Sequence, residues 1–381
     1  MTRTREQDAC PGALTVHQAA DGALVRLRFP GGMVTPDQLT ALAEVAETYG
    51  SPAMELTSRG NVQIRAVTDT GGAAAALSEA GLLPSPTHER ARNIVASPLS
   101  GRRGGHLDVR PLVTALDRAI QAEPTLAGLP GRFWFSLDDG RGDISGVDAD
   151  TGIHALPDGT CALLLAGRDT GVRVAVDDTV PTLIAIARRF LDVRGKAWRI
   201  NELDDPSALL AGLPVTASAG ATWAPTPLPP VGWFPQTVGK NRDRVALGAA
   251  VPLGVLQARV AHFLAALDAP VLITPWRSVL VCDVPEPAAD TALRVLAPLG
   301  LVFDEQSPWL RVSACTGTPG CAKSLADVRA DATAAVRAAE TGPDDDTHRH
   351  FVGCDRACGS PPSGEVLIAG QDGYRLRVAP P

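Results

Sequence analysis

The chain is nearly without lysine. Of its 35 basic residues only Lys196, Lys240 and Lys323 are lysine, leaving 32 arginines; the bias reads most simply as base composition of the source genome, so what matters is where particular arginines fall. A basic excess is also missing. The net charge of −7 argues against a general nucleic-acid binder, which would show a concentrated basic face. No apolar run approaches the ~20 residues of a membrane-spanning helix, and the opening "MTRTREQDACPGALT" has no hydrophobic segment of the signal-peptide type. A cytoplasmic protein, bound to neither membrane nor nucleic acid, is the expectation. No G-x-G-x-x-G follows a credible strand, so any nicotinamide would act through a partner protein. With seven cysteines in 381 residues and no export signal, a disulfide framework is not expected.

What is present divides into a repeat and a remainder. Residues 23–30, "ALVRLRFP", alternate as a half-buried strand; "GGMVTPDQ" turns the chain into a helix with Thr35 or Asp37 as cap and Pro36 in its first turn. A strand, a turn at Arg59-Gly60-Asn61, a second strand and the helix "TGGAAAALSEAGL" complete a β-α-β-β-α unit, ferredoxin-like in its order. The same order returns after residue 240, and setting Thr57 against Thr274 places Val62 on Val279 and Val67 on Val284 without a gap. Between the copies lie further strands, a helix and a stretch rich in Pro, Ala and Thr, residues 212–233, that reads as a linker.

The strongest signal follows the second copy. Cys315 and Cys321 in "ACTGTPGCAKS", then Cys354 and Cys358 in "GCDRACGSP", make C-x5-C, a helical spacer and C-x3-C. Thiolates bind soft metals. A C-x5-C loop is loose for structural zinc, whereas Gly317, Pro319 and Gly320 would let the chain wrap a larger cubane cluster. Cys10, Cys161 and Cys282 are scattered; the last two sit in apolar runs as inert thiols.

These cysteines, together with "RLRFPGG", "LTSRGNVQIR", "ARNIVASP" and "LPGRFWF", resemble the siroheme-dependent sulfite and nitrite reductase superfamily over nearly the whole chain. The resemblance implies an α+β fold: two ferredoxin-like half domains in pseudo-symmetric repeat, at 1–90 and 234–305, with α/β cluster- and tetrapyrrole-binding domains at 91–211 and 306–381 and the linker at 212–233. It implies a [4Fe-4S] cluster on Cys315, Cys321, Cys354 and Cys358, with Cys358 at the position that bridges to siroheme iron. Arg26, Arg92 and Arg132 match catalytic cations that face the bound oxyanion. Arg59 and Gln63, with Asn93 and Trp134, match the tetrapyrrole-binding set. A tetrapyrrole with up to eight carboxylates needs guanidinium forks at fixed positions.

One departure separates branches of the superfamily. Where the reductases carry two lysines, "LPGRFWF" has Arg132 and then the aromatic Trp134, and losing a cation from a site that stabilises anionic intermediates weakens the reductase reading. The short length favours the compact branch that oxygenates a tetrapyrrole in cobalamin synthesis. That branch implies O2-dependent hydroxylation and lactone formation on precorrin-3A, with an electron-donor protein (ferredoxin or a reductase) as partner. A mononuclear non-haem iron would be a further cofactor; His106 with Asp108, and His348 with His350, have facial-triad spacing, but such pairs arise easily by chance and none is assigned as ligand. The segment 137–146, "LDDGRGDISG", reads as a turn between strands before it reads as a metal loop. The alternatives are a ferredoxin-dependent siroheme reductase, an Fe–S electron carrier and a zinc-stapled binding module.

Overall fold

The computed structural model describes residues 8 and 10–377, except 225, 227, 241, 341–345 and 362. The first run of elements is β1 (His17–Ala19), β2 (Gly22–Leu27), β3 (Met33–Val34), α1 (Pro36–Tyr49), β4 (Ala53–Leu56), β5 (Val62–Val67) and α2 (Thr70–Glu79). Thr35 caps α1 through a reciprocal capping box with Gln38, behind Pro36. Next come β6 (Ile94–Ala96), α3 (Arg110–Ala122), β7 (Phe135–Asp138), β8 (Thr151–Ala155), β9 (Thr160–Leu165), β10 (Arg168–Ala175) and α4 (Thr179–Val193). The second copy is β11 (Gly232–Pro235), β12 (Arg244–Ala250), β13 (Val255–Gln257), α5 (Ala258–Ala265), β14 (Val271–Ile273), β15 (Ser278–Pro285) and α6 (Glu286–Leu296). The cysteine segment holds β16 (Val312–Ala314), α7 (Val328–Ala339), β17 (Arg349–Val352), β18 (Glu365–Gly370) and β19 (Gly373–Leu376).

The repeat expected from the sequence is present, and it carries a feature that the sequence did not announce. The first sheet has the order β1-β2-β5-β4-β13 and the second β11-β12-β15-β14-β3. Each copy therefore lends its short third strand to the other: Val255–Gln257 pair with Ala53–Glu55, and Met33 and Val34 pair with Leu272 and Val271. On the inner faces Val25, Leu27, Met54, Val62 and Ile64 of the first copy and Leu247, Ala249, Val271, Val279 and Val281 of the second join α1, α2, α5 and α6 in one continuous core.

The middle residues form a third sheet, β10-β9-β8-β7-β6, parallel from β6 to β8 and antiparallel beyond. Its apolar face packs on α3 and α4 around Phe133, Phe135 and Phe190. In the 212–233 stretch, Val215 and Thr222 bridge to Val172 and Arg168 at the edge of β10. In the fourth sheet β16, β17 and β18 run parallel, with β19 antiparallel at the edge. Among the described residues no helix is long and apolar enough to cross a membrane.

The exchange fixes Gly32 ahead of β3. At φ 71° it lies so close to the opposite copy that a Cβ would come 1.9 Å from the carbonyl oxygen of Ile273. Gly32→Ala should cost about 3 kcal/mol or more in chemical denaturation. Gly81→Ala, at φ 69° but with nothing within 4 Å, should cost only about 1 kcal/mol; equal losses would refute the crowding argument.

Candidate functional site

The two cysteine pairs sit at the ends of adjacent parallel strands. Cys315 directly follows β16, and its N–H donates to the Phe351 carbonyl on β17 (2.9 Å). The Gly353 N–H donates to Cys315 Sγ (3.4 Å). The loop to Cys321 closes on itself through Cys321 N–H to the Gly317 carbonyl (2.8 Å), and Leu325 N–H ties it to the Gly353 carbonyl (2.9 Å). All four thiols are free. Cys358 is pushed up by burial and then by Cys315 and Cys354, with Cys321 adding to the same effect. Among the described residues the one group of three acidic, His or Cys side chains whose ligand atoms all lie within 4.8 Å of one another is Asp138, Asp139 and Asp143. The four cysteines do not form such a group.

Histidines support this segment from behind. His350, fully buried, places Nε2 3.0 Å from the Cys358 carbonyl and Nδ1 2.8 Å from Ser313 Oγ, which also contacts His348 Nε2 at 2.8 Å. Since only a carbonyl faces Nε2, that nitrogen carries the proton and Nδ1 accepts from Ser313. Burial holds His350 down at about 4, hence neutral. Both its nitrogens are committed to protein, and Asp108 of the other spacing candidate is bound by Arg110 (2.7 Å).

Beside the cysteines stands a group of guanidiniums. β2 and β5 turn Val25, Leu27, Val62 and Ile64 inward, and so present Arg26, Arg28, Gln63 and Arg65 on the opposite face. Arg26 Nε donates to Gln63 Oε1 (2.9 Å) and Nη1 to Cys10 Sγ (2.9 Å); Arg28 Nη2 reaches the same sulfur at 3.4 Å. The Arg59 guanidinium lies 5.1 Å above the Trp134 ring and donates to the Gly131 carbonyl (3.2 Å); that of Arg199 lies 5.7 Å from the same ring. Burial, and then the charges of Arg26 and Arg59, draw Arg28 down to about 10, against Cys10. Burial, Arg199 and Arg26 do the same to Arg59, against Cys10 and Asp150. Asp150 accepts from Arg199 Nε (2.7 Å), Trp134 N–H (3.0 Å) and Ile200 N–H (2.6 Å). Burial raises it to about 6 in spite of those donors, so it is ionised at neutral pH. Trp134 Nε1 is buried and has no partner among the described residues. Cations crowded to the point of mutual repulsion, with an orphaned donor among them, fit a polyanionic ligand with several carboxylates.

Not every residue expected at the site joins this group. Arg26, Arg59, Gln63 and Trp134 come together. Arg132 is more than half exposed and lies over Trp198, 5.3 Å from the ring. Arg92 is buried and bidentate to Asp117 on α3 (2.6 and 2.9 Å). Asn93 is spent inside the protein: Nδ2 donates to the carbonyls of Arg90, Gly131 and Phe133 (3.0, 3.1 and 3.2 Å), and Oδ1 accepts from Asn61 (3.0 Å). Its work is to seat the loop that carries Arg132 and Trp134. Gln63 is likewise committed to Arg26 and, through Nε2, to Glu55 (3.1 Å).

Cys10, Arg28, Glu55, Arg65, Arg199 and Arg329 belong to the site without having been singled out in the sequence. For Arg28 and Arg65 the signal was present, since each lies two residues from Arg26 or Gln63 on the same strand face. Glu55 was readable from the Arg59 turn, about which it pairs with Gln63. Cys10 and Arg199 arrive on loops and carry no such mark. A cavity of 710 Å³ between α1, α3 and β14 lies elsewhere; its Arg102 and Arg110 are paired with Asp283 and Asp108.

The acidic segment connects β7 to β8 and is tied together at Asp138. Asp138 accepts from the N–H groups of Gly140, Gly142, Ile144 and Ser145 (2.8–2.9 Å). Burial alone would raise it; His154 and those backbone donors outweigh burial and hold it at about 2.

The nitrite/sulfite reductase ferredoxin-like half domain matches residues 17–72. The chain is 28% identical to a precorrin-3B synthase of Sinorhizobium sp, over 97% of this chain and 82% of that one. It is 27% identical to the ferredoxin–nitrite reductase of Synechococcus elongatus, over 91% and 76%, and 26% identical to the chloroplastic ferredoxin–nitrite reductase of Zea mays, over 91% and 69%. In fold it is similar to the NirA protein of Mycobacterium tuberculosis, with a TM-score of 0.75 at 20% identity over 93% of this chain and 73% of that one. The chain thus carries a stretch similar to the nitrite/sulfite reductase ferredoxin-like half domain and is similar to these oxidoreductases over most of its length.

Asp143, in the acidic turn, gives a pH test. Burial and the charge of Asp138, with a smaller push from Asp139, raise it to about 7, against the Ser97 hydroxyl (2.6 Å) and Arg141. A carboxyl raised on folding is harmless while protonated and destabilises increasingly as pH climbs from its ordinary value through the raised one. Asp143→Asn should therefore stabilise the protein by about 1–3 kcal/mol at pH 8, with the gain gone near pH 4. Denaturant unfolding at both pH values checks this, and a gain independent of pH would refute it.

Proposed function

We propose that this protein is an oxidoreductase that oxygenates a polycarboxylate tetrapyrrole, hydroxylating and lactonising precorrin-3A with O2, a reading supported by its similarity to a protein named precorrin-3B synthase. The observation that carries the reading is the guanidinium group around Trp134, joined to the helix between the two cysteine pairs through Gln63, Glu55 and Arg329. Cys315, Cys321, Cys354 and Cys358 would hold a [4Fe-4S] cluster, which supplies single electrons when bound. Arg26, Arg28, Arg59 and Arg199 bind and orient the carboxylates of the macrocycle. The indole of Trp134 contributes an apolar wall that limits water. Monooxygenation puts one oxygen atom into the substrate and releases the other as water, so two electrons and two protons enter from outside; an electron-donor protein is the partner this requires. A mononuclear iron would be additional, and its ligands are not assigned.

A second reading, a ferredoxin-dependent nitrite or sulfite reductase with siroheme, is supported by the comparable identity to nitrite reductases. Against it stands the 132–134 loop. A reductase gains from cations at the developing anion, and Trp134 lies buried under two guanidiniums there.

Anaerobically purified protein separates the two. The expected result is a brown protein that incorporates one labelled oxygen from O2 into precorrin-3A; one that carries siroheme, reduces nitrite or sulfite and ignores precorrin-3A would overturn the proposal. Serine at any of Cys315, Cys321, Cys354 or Cys358 should lower iron and acid-labile sulfide to roughly a tenth of the parent or less, while Cys161→Ser and Cys282→Ser keep them. Arg59→Ala should weaken tetrapyrrole binding roughly 30-fold or more with iron content unchanged.

A further inference from the structure

A row of register-paired residues crosses the first sheet on its polar face: Arg26 on β2, Gln63 on β5, Glu55 on β4 and Val255 on β13. The same row in the second sheet is Gly248, Leu280, Leu272 and Met33, where Leu272 and Leu280 pack with Leu99, Ala246 and Cys282. Two copies build the same sheet, one with a charged row and one with an apolar row. The charges are therefore not required by the fold, and burying them has a desolvation cost that something else must offset.

Glu55 is the centre of the charged row. It is only 9% exposed. Oε2 accepts from Gln63 Nε2 (3.1 Å), and Oε1 accepts from Arg329 on α7, the helix between the two cysteine pairs. Arg65 Nε stands 3.9 Å away, is paired with Asp21, and uses Nη2 to donate to the Gly320 carbonyl beside Cys321 (2.7 Å). A carboxylate only accepts, so Glu55 obliges Gln63 to turn its NH2 toward it and its carbonyl toward Arg26. One carboxylate thus sets the guanidinium in the arginine group and holds the helix of the cysteine segment.

We infer that Glu55 is a positioning residue that couples anion binding at the arginine group to the seating of the cysteine segment. The inference rests on the tetrapyrrole reading for the nature of the anion. A ligand carboxylate that takes Arg26 releases Gln63, and the Glu55 charge then falls more fully on Arg329, tightening α7. By linkage, whatever loosens Arg329 must weaken the ligand by the same factor.

The probe is uroporphyrin III, a stable tetrapyrrole with eight carboxylates, added to the holoprotein. Hydrogen exchange of α7 amides should slow about 5- to 150-fold on binding, and Glu55→Gln should abolish that response. Arg329→Gln, at a partly exposed position three side chains from Arg26, should weaken uroporphyrin III by a factor in the same range, and Arg329→Lys should restore most of it. A purely structural role for Arg329 would alter baseline exchange and leave affinity unchanged. If the parent binds uroporphyrin III and α7 does not respond, or if Arg329→Gln binds like the parent, the coupling is overturned and the tetrapyrrole reading stands. A parent that does not bind uroporphyrin III overturns both.

Discussion

Neither ferredoxin-like sheet is completed from its own copy. β13 closes the edge of β4, and β3 closes the edge of β14. Unpaired strand edges are both unstable and adhesive, so each copy depends on the other for its last row of backbone hydrogen bonds. The charged row of the first sheet ends at this exchange, where Glu55 pairs with Val255. It joins the two cores through α1 and α5, and it brings Gly32 against the Ile273 carbonyl.

Charge imbalance is the second organising fact. Arg28 is drawn down by burial and then by the charges of Arg26 and Arg59, and Arg59 by burial and then by those of Arg199 and Arg26, while the nearest acids are already engaged: Asp150 by Arg199 and two backbone N–H groups, Glu55 by Gln63 and Arg329. Structural ion pairs elsewhere in the chain are balanced, as Arg92 is by Asp117 and Arg102 by Asp283. Arg26, Arg28 and Arg59 instead lie next to a thiol and to an indole N–H that has no partner among the described residues.

Much of this could be read from the residues, for identifiable reasons. The turn at Arg59-Gly60-Asn61 set the β4–β5 register, the Thr35-Pro36 start located α1, and the offset between Thr57 and Thr274 exposed the repeat, because each depends on local chemistry over a few positions. The exchange of β3 and β13 was not readable: strands of two and three residues have no periodicity, and their partners lie more than 200 residues away in sequence. The arginine motifs could not say which guanidinium is already spoken for. Arg92 and Asp117 sit on a loop and a helix, and only the folded chain shows that they meet.

The reciprocal strands give the pair of copies the architecture of a two-fold dimer written in one polypeptide. A true dimer must carry the same residue at both equivalent positions, so any charged row would appear twice and any binding site would have a twin. Covalent continuity removes that obligation. Here Gln63 faces a charged neighbourhood while its counterpart Leu280 is sealed in an apolar one; a duplicated scaffold thus carries its charged row in one copy alone, which no pair of identical subunits could do.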